Sequence, residues 1–503
     1  MDLKECRAEI DRIDDELLRL FTERMELAAR VAEYKREHRL PVLDTARERE
    51  KLLDVQKKSP EGLGEYAVSL FSLLMDLSRS SQKRILEVKK ETRALRCGVL
   101  GEKLGHSYSP QIHAMLAGYE YQLYEKAPGE LEDFLRNGSW DGLNVTIPYK
   151  KTVLPYCTEL SETARRIGSV NTLVRLPDGG LYGDNTDAYG FERLVRRSGI
   201  TAEGKKALVL GSGGASVTVC DVLRSLGAAS VTVISRGGED NYGNLDRHAD
   251  AQLIVNTTPV GMYPNTGASP VDLMAFPRCE GVLDVVYNPA RTALMLQAEA
   301  LGIPHASGLY MLVAQAKRSS ELFTGAQIAD GEIDRIEAAL SASMQNIVLV
   351  GMPGSGKSSI AAALGARLDR PVYEADAEIE ALSGREIPQI FAEGGEKDFR
   401  ALETQVLAEL GKKSGAVLST GGGCVTRAEN YPLLHQNGRI FWIRRDTSLL
   451  PKDGRPISLR SDLAQLFETR RPSYEAFSDV EIRNDGTIEE AVEKILEVLG
   501  CGF

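Results

Sequence analysis

Gly351-Met352-Pro353-Gly354-Ser355-Gly356-Lys357-Ser358 follows the unbroken apolar run Ile347-Val348-Leu349-Val350. The eight residues fit G-x-x-x-x-G-K-[ST], and a buried strand turning through glycines into a helix is the setting a P-loop needs. Backbone N–H groups of such a loop curl around phosphate, and the helix N-terminus adds partial positive charge. Gly354, Ser355, Gly356 and Ser359 belong to this cradle, Lys357 reaches the outer phosphates, and the Ser358 hydroxyl is placed to ligate Mg²⁺. The motif predicts an α/β domain that takes a nucleoside triphosphate such as ATP. It opens at Gly351, so most of the chain needs a separate account.

A chain of 503 residues has room for about three domains. Hydrophobic content of 43% and charged content of 26% are ordinary for globular protein. The net charge of -11 argues against nucleic-acid binding as the main task, although anionic small molecules need only local basic sites. Cys6, Cys97, Cys157, Cys220, Cys279, Cys424 and Cys501 are scattered without a C-x-x-C pair, the pattern of free thiols in a reducing cytosol. The N-terminus is charged and lacks an apolar core segment, and no apolar run reaches the length of a membrane span. The expectation is a cytoplasmic protein with small-molecule substrates, and neither a nucleic acid nor a membrane as partner.

Three textures follow one another. Residues 1–92 read as helix, with apolar residues at helical spacing (Ile10, Ile13, Leu17, Leu20, Leu27, Val31), Pro41 ending a first helix and Pro60–Gly64 a second. Residues 93–343 alternate short β-type runs such as Ala207–Leu210 and Val231–Ile234 with helical runs, the texture of a parallel sheet. Residues 344–503 carry the P-loop. The predicted fold class is multidomain: an all-α N-terminal domain, an α/β two-part domain with a Rossmann-like nucleotide half, and an α/β P-loop domain.

In the first module, Arg24 and Lys35 are eleven residues apart, so on one helix they share a face about 16 Å apart. Arg7 lies about 25 Å from Arg24 and points about 100° away, so it serves the same small anion only from a second, antiparallel chain. This geometry predicts a homodimer through the helical domain. Each cation alone reads equally as a solvated surface charge. The string Cys6–Lys35, followed by Leu40–Leu53 with Asp44, Arg47 and Glu48, and by Ser78 and Gln82 at i, i+4, resembles the all-helical chorismate mutases. The resemblance implies that Arg24, Arg47 and the partner chain's Arg7 hold two carboxylates, that Lys35 and Gln82 face the breaking ether oxygen, and that Glu48 faces the ring hydroxyl, with Ser78 also in the site. Rearrangement of chorismate to prephenate needs a compact conformer and charge stabilisation rather than an acid, base or nucleophile.

In the second module, Gly211, Gly213, Gly214 and Ala215 sit between the strand Ala207–Leu210 and a helix, a dinucleotide-loop pattern. The next strand ends in Ser235-Arg236, where arginine suits the 2′-phosphate of NADP and an acidic residue would suit NAD. The polar clusters His106–Pro110, Asn144–Lys150, Gly168–Thr172 and Gly183–Asp187 read individually as turn chemistry. Together with Asn256–Met262, Asp284–Pro289 and Gly308–Gln315 they resemble shikimate dehydrogenase over residues 97 to 340. The resemblance implies a substrate part at about 97–190 and 305–340 and a nucleotide part at about 191–304. It further implies Ser107 and Ser109 on the substrate carboxylate, Thr146, Asn171, Tyr287 and Gln315 around the polyol, and Lys150 with Asp187 as the catalytic pair. A lysine ammonium beside a carboxylate can protonate the oxygen as hydride arrives from NADPH. The chain departs from the family pattern at Ala114, where Asn is usual, and the segment from Arg236 to Asn256 is short.

In the third module, the P-loop is followed by Tyr373–Asp376, Gly395–Glu403, Ser419–Gly423, Gly454–Pro456 and Arg470–Tyr474, an order that resembles shikimate kinase from residue 346 to about 500. The resemblance implies that Arg400 and Arg470 fork onto a carboxylate, that Asp376 accepts from the attacking hydroxyl, and that Gly422 and Gly423 allow close backbone approach. Arg455 would lie in a lid over the transferring phosphoryl group. Glu374 stands where the family commonly has Asp.

The whole reads as three enzymes of aromatic biosynthesis on one chain. Two alternatives stay open: a helical domain that dimerises or senses a ligand without turnover, and a dehydrogenase that takes quinate with NAD. The short bridge between dehydrogenase and kinase also raises direct transfer of shikimate, which requires the two sites to face each other.

Overall fold

The computed structural model describes residues 2–37, 45–60, 62–88, 94–105, 107–450 and 463–500. By its internal packing the chain divides into two units, Met1–Ala94 and Leu95–Phe503.

The first unit is three helices, Leu3–Glu37, Thr45–Lys58 and Gly64–Val88. The helical period is as the sequence predicts, but the apolar stripe is not covered by the described residues of this unit. Ile10, Ile13, Leu17, Leu20, Leu27 and Val31 on the first helix, and Leu70, Leu73 and Leu77 on the third, are all exposed. Ala28, Val55 and Met75 are its buried apolar residues among those described.

The second unit holds three sheets. The first has the strand order Glu120–Glu125, Arg96–Gly101, Gly142–Val145, Thr172–Arg175, Leu181–Asp184, Glu159–Leu160. Thr172–Arg175 runs antiparallel to both neighbours, and the other pairings are parallel. The second sheet is wholly parallel, in the order His305–Ser307, Gly281–Asp284, Leu253–Asn256, Lys206–Leu210, Ser230–Ile234. The expectation that residues from 305 onward belong to the substrate part therefore needs correction at His305–Ser307, which pairs into the nucleotide sheet. Three residues are too few to show a period. The shortness of the segment after Arg236 also has a structural form. Between Ser230–Ile234 and Leu253–Asn256 the crossover contains a single 3₁₀ turn, Leu245–His248, instead of an α-helix.

Two packed helices, Thr186–Ser198 and Leu309–Thr324, join the halves around the buried Phe191, Val313 and Ala314. The first is capped by the Asn185 side chain, which accepts from the Ala188 N–H, and it stops at Gly199 in the left-handed conformation.

The helix Gly331–Met344 leads directly into the third sheet, again all parallel: Val372–Glu374, Val417–Ser419, Asn346–Val350, Gly438–Arg444, Val480–Arg483. Its central strand is fully buried, as expected of a parallel sheet covered on both faces. No helix among the described residues is long and apolar enough to cross a membrane.

Candidate active sites

Lys150 follows the strand Gly142–Val145, and Asp187 opens the helix Thr186–Ser198, so secondary structure delivers one residue to each side of a cleft. Lys150 Nζ donates to Asp187 Oδ2 at 2.6 Å, and both side chains are largely shielded, at 20% and 13% exposure. The chain of Lys150 also crosses to the nucleotide half, where its Cδ lies 3.9 Å from the position a Cβ would take on Gly214. Asn171 supports the pair from below: its Oδ1 accepts from the Thr186 N–H at 2.7 Å, one residue before Asp187. Thr146 is half-buried on the same approach. Ser107 and Ser109 stand together at the start of the helix Ser109–Leu116, with the Ser109 N–H donating to Ser107 Oγ at 3.3 Å. Tyr287 meets Tyr108 edge to face at 5.9 Å, and burial, with the neighbouring Tyr108, raises its pKa. Gln315 is buried and its amide donates to the Leu312 carbonyl.

The nucleotide loop Gly211–Gly213 ends at the helix Gly214–Ser225, with Ala215 in its first turn. At the end of the neighbouring strand, Ser235 N–H donates to the Asp240 carbonyl at 3.2 Å, and Arg236 is exposed. A guanidinium in that position is suited to a phosphate on the adenine ribose.

In the P-loop domain, Gly354 and Gly356 have φ of 80° and 96°, a conformation that glycine adopts without a Cβ clash. Gly356 caps the helix Lys357–Leu368. Lys357 Nζ donates to the carbonyls of Gly351 at 2.9 Å and Met352 at 3.0 Å, so the ammonium is held over the loop. Ser358 Oγ donates to Glu374 Oε2 at 3.1 Å, and Ser359 is exposed beside it. Asn484, to which the sequence reading gave no role, fixes the loop from behind by donating to the Ser355 carbonyl at 2.7 Å.

Next to the loop lies a compact cluster built on two buried arginines, Arg400 and Arg470. Arg470 Nη1 donates to the Gly422 carbonyl at 3.1 Å, and the Tyr474 hydroxyl donates to the same oxygen. Any Cβ on Gly423 would run into the Arg400 guanidinium, and one on Gly422 would meet Pro353 Cδ at 2.6 Å. Close backbone approach is what those two glycines provide. Asp376 Oδ1 and Glu403 Oε1 both face the open side of Gly421. Glu403 is a second residue whose role escaped the sequence reading. It is fully buried and accepts from Arg400 Nη1 at 2.6 Å, while Glu396 holds the outer edge of the same guanidinium at 3.1 Å. Burial raises the Glu403 pKa, opposed by Arg400. At i+3 from Arg400 it reads in the sequence as an ordinary surface ion pair.

In the helical unit, Arg24 Nη1 donates to the Leu74 carbonyl at 2.9 Å and to Ser78 Oγ at 2.5 Å, bringing the first and third helices together. Lys35 is half-buried and Arg7 is exposed near the far end of the same continuous helix. Asp44, His106 and Arg455 lie outside the described residues, as do the side chains of Arg47, Glu48 and Gln82.

A dinucleotide-type α/β unit with a lysine–carboxylate pair in its cleft, followed by a P-loop unit with a buried arginine site, defines a multidomain oxidoreductase and phosphotransferase. The family models agree by segment: Chorismate mutase type II matches residues 6–83, Shikimate dehydrogenase substrate binding domain residues 99–173, and Shikimate kinase residues 353–500. Shikimate dehydrogenase (NADP(+)) of Clostridium perfringens (strain SM101 / Type A) is 34% identical over 252 residues, 46% of this chain and 93% of that protein. The protein of the same description from Oleidesulfovibrio alaskensis is 38% identical over 256 residues, 46% of this chain and 90% of its own length. A solved structure of a chorismate mutase/shikimate 5-dehydrogenase fusion protein from Clostridium acetobutylicum is 34% identical, covering 49% of this chain and 97% of that one, with a TM-score of 0.47. The chain belongs to the shikimate dehydrogenase family, with a chorismate mutase domain before that region and a shikimate kinase domain after it.

Proposed function

We propose that the chain is a trifunctional enzyme of aromatic biosynthesis: it reduces 3-dehydroshikimate to shikimate with NADPH, phosphorylates shikimate with ATP, and rearranges chorismate to prephenate. The observation that carries the reading is the Lys150–Asp187 pair, which spans the distance from substrate cleft to nucleotide loop.

In the reduction, Lys150 donates a proton to the carbonyl oxygen while hydride arrives from the cofactor side, and Asp187 keeps the ammonium oriented. Ser107 and Ser109 hold the carboxylate, and Thr146, Asn171, Tyr287 and Gln315 line the hydroxyl face. Gly211, Gly213, Gly214 and Ala215 receive the pyrophosphate, while Ser235 and Arg236 receive the 2′-phosphate, which favours NADP.

In the kinase, Arg400 and Arg470 bind the carboxylate against Gly422 and Gly423, and Asp376 takes the proton of the attacking hydroxyl. Lys357 neutralises the phosphates. The Ser358 hydroxyl beside Glu374, with Asp376 in the next helix, is a hard-oxygen set of the kind Mg²⁺ takes. Ser358 and Glu374 would hold the ion, which would supply positive charge against the phosphates. Arg455 is assigned to the lid.

The helical unit is assigned as a homodimer. The exposed apolar stripes on its first and third helices, and the distance of Arg7 from Arg24 along one straight helix, support a second copy that covers the stripes and lends its Arg7 to the site. Lys35 and Gln82 then face the ether oxygen, and Arg24, Arg47, Glu48 and Ser78 the rest of the substrate. A cytoplasmic location follows from the free thiols and the cofactors used.

One experiment tests two of the three assignments. Purified chain supplied with 3-dehydroshikimate, NADPH and MgATP should yield shikimate 3-phosphate; folded protein that forms none overturns both. Prephenate formation from chorismate, measured separately, tests the third.

A further inference from the structure

The loop that carries Tyr287 runs on through Asn288-Pro289-Ala290-Arg291 to the helix Ala293–Ala300, and it is fastened to the kinase. Ala290 N–H donates to Asn437 Oδ1 at 2.8 Å, and Arg291 N–H donates to the Gln436 carbonyl at 2.9 Å. The Arg291 guanidinium donates to the His435 carbonyl at 2.8 Å, and His435 Nε2 lies 3.2 Å from Glu299 Oε1 on the dehydrogenase side. Asn437 is only 3% exposed. Its amide nitrogen turns the other way and donates to the carbonyl of Gly411 at 3.3 Å, with the Lys413 carbonyl at 3.4 Å. One side chain thus ties the kinase turn at 411–413 to the dehydrogenase loop.

Tyr108 stands between Ser107 and Ser109 on the substrate half, and its ring meets Tyr287 across the cleft. The kinase therefore holds the Tyr287 lip of the dehydrogenase mouth. The groups it uses lie before its strands: 411–413 precedes Val417–Ser419, and 435–437 precedes Gly438–Arg444. This is the end of the sheet opposite the P-loop, which follows the strand Asn346–Val350. None of these residues touches the kinase's own phosphate or anion site.

We propose that this leading edge of the kinase sheet is a brace for the dehydrogenase, with Asn437 and Arg291 as positioning residues. They set the Tyr108–Tyr287 spacing and, through it, the hold on the substrate ring. The proposal rests on the reading of the cleft as a 3-dehydroshikimate site. It extends that reading by giving the kinase domain a second task that needs no ATP.

The test uses the full chain with Asn437→Ala and Arg291→Ala, each assayed for both activities and for amide hydrogen exchange across residues 284–293. The brace predicts faster exchange at the backbone N–H groups of positions 290 and 291 in both variants. It also predicts that KM for 3-dehydroshikimate rises about fivefold, the size of one lost buried hydrogen bond, with kcat little changed. Kinase kinetics stay at the parent value, which also reports that the kinase is folded. If Asn437→Ala loses both activities, Arg291→Ala decides: a raised KM beside an intact kinase supports the brace, and an unchanged KM overturns it. Unchanged exchange at Ala290 and Arg291 in the folded variants overturns it as well. A parent chain that fails to reduce 3-dehydroshikimate sinks the assigned reaction, while the exchange measurement still decides whether the brace exists.

Discussion

Lys150 Nζ and Asp187 Oδ2 are 2.6 Å apart, although 37 positions separate the residues and different elements present them. A short charge-assisted bond in a shielded cleft orients the ammonium. Replacing Lys150 by Ala or Asp187 by Asn should lower dehydrogenase kcat by about 10²–10⁴-fold, the range of a lost general acid. KM for NADPH should move little, and kinase turnover in the same protein should be unaffected. Steady-state assays of both activities on each variant check this.

Arg236 is exposed at the end of its strand, where only the 2′-phosphate distinguishes the two nicotinamide cofactors. Arg236→Ala should raise KM for NADPH about tenfold through loss of a charge-assisted contact, and leave KM for NADH nearly unchanged. Parallel titrations with the two cofactors decide it. An equal effect on both would remove Arg236 from the cofactor site.

Glu403 has no exposed surface, and its Oε2 receives Arg400 at 2.6 Å. Glu403→Gln keeps the shape but removes the charge that fixes the guanidinium. The kinase KM for shikimate should rise about tenfold with KM for ATP little altered. Glu403→Ala should be worse and should also destabilise the domain, because it strands Arg400 in a buried site. Kinetics and thermal unfolding of the two variants separate the effects.

Asp284 anchors the loop leading to Tyr287. It accepts from Asn256 Nδ2 at 3.0 Å, from Val286 N–H at 3.0 Å and from Thr292 Oγ1 at 2.7 Å. Burial pushes its pKa up from 3.8 to about 6. Between those values the folded protein holds a proton that the unfolded chain has released, so this group's contribution to stability falls as pH rises through that window and is level above it. Asp284→Asn lacks the titration. The stability difference between parent and variant should therefore be most favourable to the parent near pH 4 and shrink towards pH 6. Unfolding midpoints followed by residual dehydrogenase activity across this range provide the measurement.

What the sequence made legible depended on how local the chemistry is. Lys357 and Ser358 were readable because a phosphate loop demands glycine and lysine at fixed spacing beside a strand. Lys150 and Asp187 were readable only through the company of other polar clusters, since nothing in their separation implies a contact. Glu403, Asn484 and Asn437 were not readable: each is a common surface residue type whose role arises from burial that tertiary packing alone creates. The strand His305–Ser307 was too short to declare its sheet, and the apolar stripe of the first helix gave the right period without showing that its residues stay exposed.

The attachment of the dehydrogenase to the starting ends of the kinase strands also governs traffic between the two reactions. Nucleotide and acceptor enter the kinase from the finishing ends, one strand length away, or roughly 17 Å for five residues. On this arrangement, product released past Tyr108 and Tyr287 is expected to mix with the surrounding pool before it is phosphorylated. Isotopically marked shikimate added to the coupled reaction should therefore dilute the phosphorylated product in full proportion. Full dilution would mean that fusion secures equal numbers of the two catalysts, and incomplete dilution that it gives private passage between them.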